Sequence, residues 1–226
     1  MTKASDPQLY SSGFERKALD RYWTHPWMTQ ELFHRLEGIN AIGPVTLFRV
    51  WEPAAGRGDM SKAIAAAGHY VYSTDVDMSQ FDYGIGPGHE LSFLNELSLP
   101  RIGGKNVNAF VMNPPYSQPH RGIADDFIEK ALEYFDRGPY FIAALLRSEF
   151  ASGKSQRRRL KFGECPHYMG EIVLTTRPRW DYGDPDAPED AAPRHNFSWF
   201  LWFKNWRRDH GHPVQIFSYM PKGFKP

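Results

Sequence analysis

Leu47-Phe48-Arg49-Val50-Trp51-Glu52-Pro53-Ala54-Ala55-Gly56-Arg57-Gly58-Asp59-Met60, residues 47–60, is the stretch on which the fold turns. Residues 47–53 read as a short apolar strand stopped by a proline. Asp59 can cap a helix that runs through Met60, Ala63, Ile64 and Ala67 and ends at Gly68. Residues 69–75, HYVYSTD, are β-branched and aromatic and predict a second strand ending in Asp75. A glycine-rich turn alone is a weak signal. Set between a strand and a helix, it lets the backbone turn tightly and approach a ligand, and the helix start offers free N–H groups to an anion. An acid at the end of the next strand is placed to bind ribose hydroxyls. The unit therefore predicts a nucleoside-cofactor site. The full G-x-G-x-x-G pattern is absent, because Ser61 stands where its third glycine would fall, and so is a Walker A pattern.

Outward from this unit, residues 1–20 read as a loose N-terminal arm. Thr29 can cap a helix ending at Gly38. Residues 108–113 form an apolar strand stopped by two prolines, and 121–136 a helix with Phe127, Ile128, Ala131, Leu132 and Phe135 on one face. Further strands are predicted at 140–146, 171–176, 196–203 and 214–220. The alternation predicts one α/β domain with a doubly wound, mostly parallel sheet. The last strands lack an intervening helix, which predicts an antiparallel hairpin at one edge. Residues 151–195 read as an insertion, with a loop at 181–193 rich in Asp, Pro and Ala.

The chain has 226 residues, one Cys and a net charge of +1. The lone Cys165 excludes an internal disulfide and fits a reducing compartment. With no apolar leader and no run of roughly 20 apolar residues, a soluble cytoplasmic protein is expected. The nine His and one Cys show no zinc-type pairing, so no metal is expected. Near-neutral charge neither supports nor excludes nucleic acid. Locally, however, 154–161 (KSQRRRLK) holds no acid and 181–190 (DYGDPDAPED) no base. Such separation reads either as a polyanion surface beside a self-repelling loop or as two solvated loops.

Asn113-Pro114-Pro115-Tyr116 follows the strand at 108–113, at the sheet edge where open α/β sheets bind their ligands. The amino group of adenine is a poor nucleophile, because its lone pair is delocalised into the ring. The Asn113 amide oxygen and the Pro114 carbonyl can each accept one of its hydrogens, drawing charge onto the nitrogen. Pro114 and Pro115 preorganise those acceptors. Tyr116 offers a ring on which a flipped base can stack. No strong base is required, since the nitrogen can lose its proton after it has become cationic.

With both segments in place, the chain resembles the S-adenosylmethionine-dependent N6-adenine methyltransferases of the gamma motif order, over roughly residues 20–150. Glu52-Pro53-Ala54 ahead of Gly56 and Gly58 is similar to that family's motif I, and Asn113 to Tyr116 to its catalytic motif. The resemblance implies S-adenosyl-L-methionine as cofactor, with Glu52 near its methionine end and Asp75 on its ribose; Asp77 ranks lower. It also implies cofactor contacts by Thr24 and Trp27, with simple packing the alternative. The family places an acid before Phe-Leu at the cofactor's adenine, but here Ser92 precedes Phe93. Phe93 keeps the edge contact, and Glu90 is out of register. The region around His195 is similar to a late motif whose aromatic holds the base, which nominates Phe197 or Trp199. Packing is favoured for either one alone, and His195 reads as structural.

The substrate implied is DNA, with RNA possible and oligomeric state open. Arg147, Lys154, Arg157, Arg158, Arg159 and Lys161 leave the same sheet edge as Asn113 and suit phosphate contacts, with Lys204, Arg207 and Arg208 as additions. The short region available for recognition, residues 151–195, implies a short or permissive recognition sequence. Small stand-alone enzymes of this kind resemble those of phages and mobile elements. Similar motifs in RNA adenine methyltransferases and in glutamine methyltransferases of release factors keep those substrates as alternatives. A non-catalytic nucleic-acid-binding module with the same fold is a further one.

Overall fold

Apolar side chains occupy successive positions of the central strands, and strand geometry sends them alternately to opposite faces. The computed structural model describes residues 22–39, 47–116, 119–178, 195–206, 213–222 and 224. The expected N-terminal arm, the loop at 181–193, Arg207 and Arg208 lie outside the described residues. In chain order the elements are α1 (Pro26–Glu37), β1 (Arg49–Glu52), α2 (Asp59–Ala66), β2 (Tyr70–Asp75), β3 (Gly88–Glu90), β4 (Arg101–Ile102), β5 (Lys105–Asn106) and β6 (Ala109–Met112). There follow α3 (Ile123–Glu133), β7 (Phe141–Arg147), the single turn α4 (Gln156–Arg158), β8 (Tyr168–Leu174), β9 (Phe197–Phe203) and β10 (Val214–Ser218).

β4 and β5 form a small hairpin, and the other eight strands make one sheet in the order β10-β8-β9-β7-β6-β1-β2-β3. Val50, Val111, Ala143, Leu145, Trp199 and Leu201 share one core with Met28, Leu32, Met60 and Ile64 of α1 and α2. Trp51, Phe110, Met112, Ala144, Phe200 and Trp202 share the other with Phe127, Ile128 and Ala131 of α3. The result is the expected three-layer, doubly wound α/β architecture. Among the described residues, no helix is long and apolar enough to cross a membrane.

The antiparallel pairing expected near one edge is present as β8 with β9, but its setting is more specific. β9 lies between β7 and β8 and runs antiparallel to both, while β10 closes the sheet parallel to β8. All seven residues of β9 are buried, which suits an interior strand. Its reversed direction brings its first residue, Phe197, level with the last residues of β7 and β8.

Two helix starts differ from the sequence reading. Pro26 opens α1 with His25 as N-cap, so Thr29 falls inside the first turns and is buried. Proline at the first helical position has its φ already set and no N–H to lose, which outweighs a threonine cap downstream. Asp59 is the first helical residue of α2, and Gly58 is its N-cap at φ 88°.

The segment after β7 is fastened to α3 by charge. Lys161 and Asp125 are both buried, and the Lys161 ammonium lies 3.0 Å from Asp125 Oδ1 and 2.6 Å from Glu129 Oε1. Arg157 donates to Asp126 and, through Nε at 2.6 Å, to Glu129. Burial disfavours ionisation of Asp126 and Glu129, but hydrogen bonds from Arg157, His120 and Lys161 outweigh it and hold both carboxyls below their usual range. The Lys161 carbonyl in turn accepts the Trp202 indole N–H at 2.9 Å. Removing one partner of a buried pair leaves the other charge uncompensated. Lys161→Met should therefore lower unfolding free energy by about 3 kcal/mol in urea titrations. A loss under about 1 kcal/mol, the size of a surface pair, would mean that this fastening is dispensable.

Candidate functional site

β1 pairs in parallel with β2 on one side and with β6 on the other, so the chain leaves β1 at a topological switch point. Crevices at the carboxyl ends of such strands are where open α/β sheets hold ligands. Here the crevice is a cavity of about 210 Å³, lined by the turn at 52–57, Asp59 and Met60, Asp75 and Val76, residues 92–94, Asn113 and Pro115, together with Tyr22 to Thr24. Pro119, His120, Ile123 and Phe127 close it from the α3 side.

The turn from β1 into α2 is stitched to the end of β2. The Ala55 N–H donates to Thr74 O at 2.9 Å, and the Gly56 N–H donates to the Asp75 carboxylate at 2.9 Å. Gly58 sits at φ 88°, and a Cβ there would come within 2.5 Å of Ile85 Cδ1. Gly56, at φ 53°, leaves room for the Trp23 ring, which a Cβ would meet at 3.1 Å. These glycines are thus required by backbone conformation and by close approach together. The other Asp75 oxygen accepts the Asp77 N–H at 3.1 Å. Asp75 lines the cavity beside these bonds. Asp77 does not line it.

Glu52 lines the cavity yet is 1% exposed. Its carboxylate accepts from the Ser61 hydroxyl, which lies 2.6 Å from that of Ser73. Burial pushes the Glu52 carboxyl well above the usual range. The Ser61 hydrogen bond opposes this, and the charges of Asp75 and Asp59 push it further up. Ser61, in the place of a third glycine, thus serves as the hydroxyl partner of a buried acid.

Asn113 follows β6 and its amide is fixed from both ends. Nδ2 donates to Thr24 Oγ1 at 3.0 Å and to the Tyr22 carbonyl at 3.3 Å. A carbonyl only accepts, so the nitrogen must face Tyr22 and Oδ1 must face Tyr116, whose hydroxyl is 3.0 Å away. The same hydroxyl is 3.1 Å from Leu145 O. Tyr116 also meets Phe197 edge-on, with ring centroids 6.2 Å apart.

The other sequence candidates divide. Thr24, Glu52, Pro53, Ala54, Gly56, Asp75, Phe93, Asn113 and Pro115 line the cavity. Gly58 shapes the turn beneath it, while Pro114 and Tyr116 stand beside it. Ser92 lines the cavity, and Glu90 does not. Trp27 is buried in the core against Phe224, and the neighbouring Trp23 takes the cavity wall with the Arg57 guanidinium 5.0 Å above its ring. Once Pro26 starts α1, Trp27 is carried onto the buried face of that helix. Trp199 is fully buried and donates its indole N–H to Met28 O, so it is a core residue rather than a base contact. Phe197 is buried beside Tyr116. Lys161 is buried in ion pairs and is removed from the phosphate-contact set. Arg157 is paired with Asp126 and Glu129, and Arg159 with Glu164 at 2.9 Å. Arg158 lies over the Phe150 ring and 3.8 Å from Asp125. Arg147 and Lys154 are exposed. Trp23, Arg57, Ser61 and His120 were missed. The aromatic run beside Thr24 was the available signal for Trp23.

This sheet order, with a glycine turn after β1 and an acid ending β2, defines the class I methyltransferase fold. No family model and no curated protein matches the chain. Solved structures do. The type IIG restriction endonuclease BpuSI superposes with a TM-score of 0.54 at 14% identity, over 88% of this chain and 27% of its own. A Listeria monocytogenes protein assigned as a class I S-adenosylmethionine-dependent methyltransferase gives 0.52 at 16% identity, over 84% of this chain and 63% of its own. Magnesium protoporphyrin IX methyltransferase from Synechocystis PCC 6803 gives 0.52 at 9% identity, over 79% of this chain and 82% of its own. The chain thus spans about a quarter of BpuSI and under two thirds of the Listeria protein.

Because the fold raises the Glu52 value, the neutral acid is the form that stabilises it. That contribution is complete below the ordinary carboxylate pKa of about 4.3 and is lost as pH rises through the raised value. Glu52→Gln should flatten the stability profile between pH 4 and 8 and cost nothing near neutrality, as read by thermal melts across that range. Parallel wild-type and variant profiles would show Glu52 to be ionised throughout.

Proposed function

We propose that this protein transfers a methyl group from S-adenosylmethionine to the N6 amino group of adenine in DNA. The observation that carries the reading is the fixed amide of Asn113. Its nitrogen is anchored on Tyr22 and Thr24, and its oxygen is turned toward Tyr116 at the mouth of the glycine-turn cavity.

The cavity fits the cofactor. Asp75 at the end of β2, Glu52 at the end of β1 and Phe93 all line the cavity beside the glycine turn. Glu52 is the acid at the methionine end. When bound, S-adenosylmethionine supplies a methyl group on a positively charged sulfur, already activated for displacement. The chain's own work is then alignment. Asn113 Oδ1 and the Pro114 carbonyl accept the two amino hydrogens of the adenine and draw charge onto its nitrogen.

The single Tyr116 hydroxyl hydrogen has two acceptors in reach, Asn113 Oδ1 and Leu145 O. Turned to Leu145 O, it frees the Asn113 oxygen for the incoming amino group. Tyr116 and Phe197 then frame the place of the flipped base. The acceptor pattern supports a planar amino group such as adenine's, and DNA is favoured because one structural neighbour is a restriction endonuclease.

The test is transfer of labelled methyl to unmethylated DNA, total RNA and protein in parallel, with modified nucleosides identified by mass. N6-methyladenine in DNA is expected. Label in RNA or protein instead would move the substrate, and label nowhere would end the catalytic reading. Asn113→Ala should abolish transfer, by at least 100-fold for loss of a preorganised acceptor, while calorimetric cofactor binding stays within a few-fold. Retained turnover would remove Asn113 from the chemistry.

A further inference from the structure

The basic run that looked like the polymer-binding surface is answered inside the protein. Arg157, Arg158, Arg159 and Lys161 face Asp125, Asp126, Glu129 and Glu164, four cations against four acids. A phosphate backbone meets little net positive charge there. The rim of the acceptor side is different. Arg147 is the exposed last residue of β7, and Arg177 is exposed three residues beyond the end of β8. Neither makes an ion pair among the described residues.

The segments that carry these arginines are joined through Asn196. Asn196, just before β9, accepts the Ser148 N–H on its backbone carbonyl at 3.0 Å. Its side-chain Oδ1 accepts the Arg177 Nε–H at 2.8 Å. A further contact, Ser148 Oγ to Ser198 Oγ at 2.8 Å, closes the link between the end of β7 and the start of β9. The register sets Arg147 against Phe197 and Phe197 against Leu174, so Arg147 and the end of β8 lie on one line across the sheet. Two strand spacings, roughly 10 Å, separate them. Between them stands Phe197, against which Tyr116 packs.

We propose that Arg147 and Arg177 are a two-point phosphate clamp that holds the DNA strand presenting the acceptor base to Asn113, with Asn196 as the brace that orients Arg177. This rests on the reading of the substrate as DNA. A guanidinium held at Nε keeps its outer N–H donors in a fixed plane, the arrangement suited to bidentate phosphate contacts. Two cations flanking the Tyr116–Phe197 pair place the backbone on either side of the flipped base. Contacts of this kind fix position and carry no sequence information.

The test is fluorescence anisotropy of a labelled DNA oligonucleotide with the full chain, from 50 to 500 mM salt. Each phosphate contact contributes about 0.7–0.9 to the slope of log K against log salt. Arg147→Gln with Arg177→Gln should therefore reduce the slope by roughly 1.4–1.8, which is about 25- to 60-fold weaker binding at 0.1 M if the curves converge near 1 M. Arg147→Lys with Arg177→Lys should keep most of the slope, and Arg159→Gln should leave it unchanged. Calorimetric cofactor binding and the thermal melt should not move in any variant. A double Gln variant with the wild-type slope overturns the clamp while DNA binding itself stands. A wild-type chain with no salt-dependent DNA binding overturns the substrate reading and the clamp with it.

Discussion

Between β1 and α2 the chain must reverse direction within a few residues and still leave backbone N–H groups pointing out of the sheet. Left-handed glycine at position 58 makes the reversal possible, and two hydrogen bonds from Ala55 and Gly56 to the end of β2 hold it in place. Everything on the ligand side of the protein hangs from this stitch. Parallel pairing brings Asp75 and Asn113 to the same edge as the turn. The segment carrying Trp23 and Thr24 then closes the crevice from outside by bonding Asn113.

Much of this was readable in the chain because it is local. A strand, a glycine turn, a helix and a terminal acid declare themselves in sequence order, and so does Asn113 after an apolar strand. What was not readable depends on distance. Arg157 and Lys161 look like free cations in sequence because their counter-charges sit on α3, about thirty positions earlier. Trp27 and Trp23 look alike until Pro26 decides which of them joins a helix. Trp199 reads as a candidate base contact, but β9 is buried on both faces, and an aromatic there cannot be sorted by alternation. The Ser61 partnership with Glu52 needs α2 folded back over β1 before it exists at all.

Charge inside this protein is used mainly for fastening. The ion pairs between α3 and the segment after β7 act alongside the packing of Phe162, and they lie beside the cavity wall at His120, which shares Asp126 with Arg157. On the other side of the Tyr116–Phe197 pair, Arg147 and Arg177 stand exposed, with no ion pair among the described residues.

The place of β9 has a consequence for how the protein comes into being. Strand β8 is synthesised before β9, yet it has no neighbour on its inner side until β9 has emerged and slipped between it and β7. During that interval β7 presents an open hydrogen-bonding edge and β8 waits apart from the body of the sheet. Assembly of this third of the sheet is therefore a late, long-range closure, slow in the way that non-local strand pairing is slow. The neighbourhood of Tyr116 and Phe197 is therefore complete only after β9 has been made.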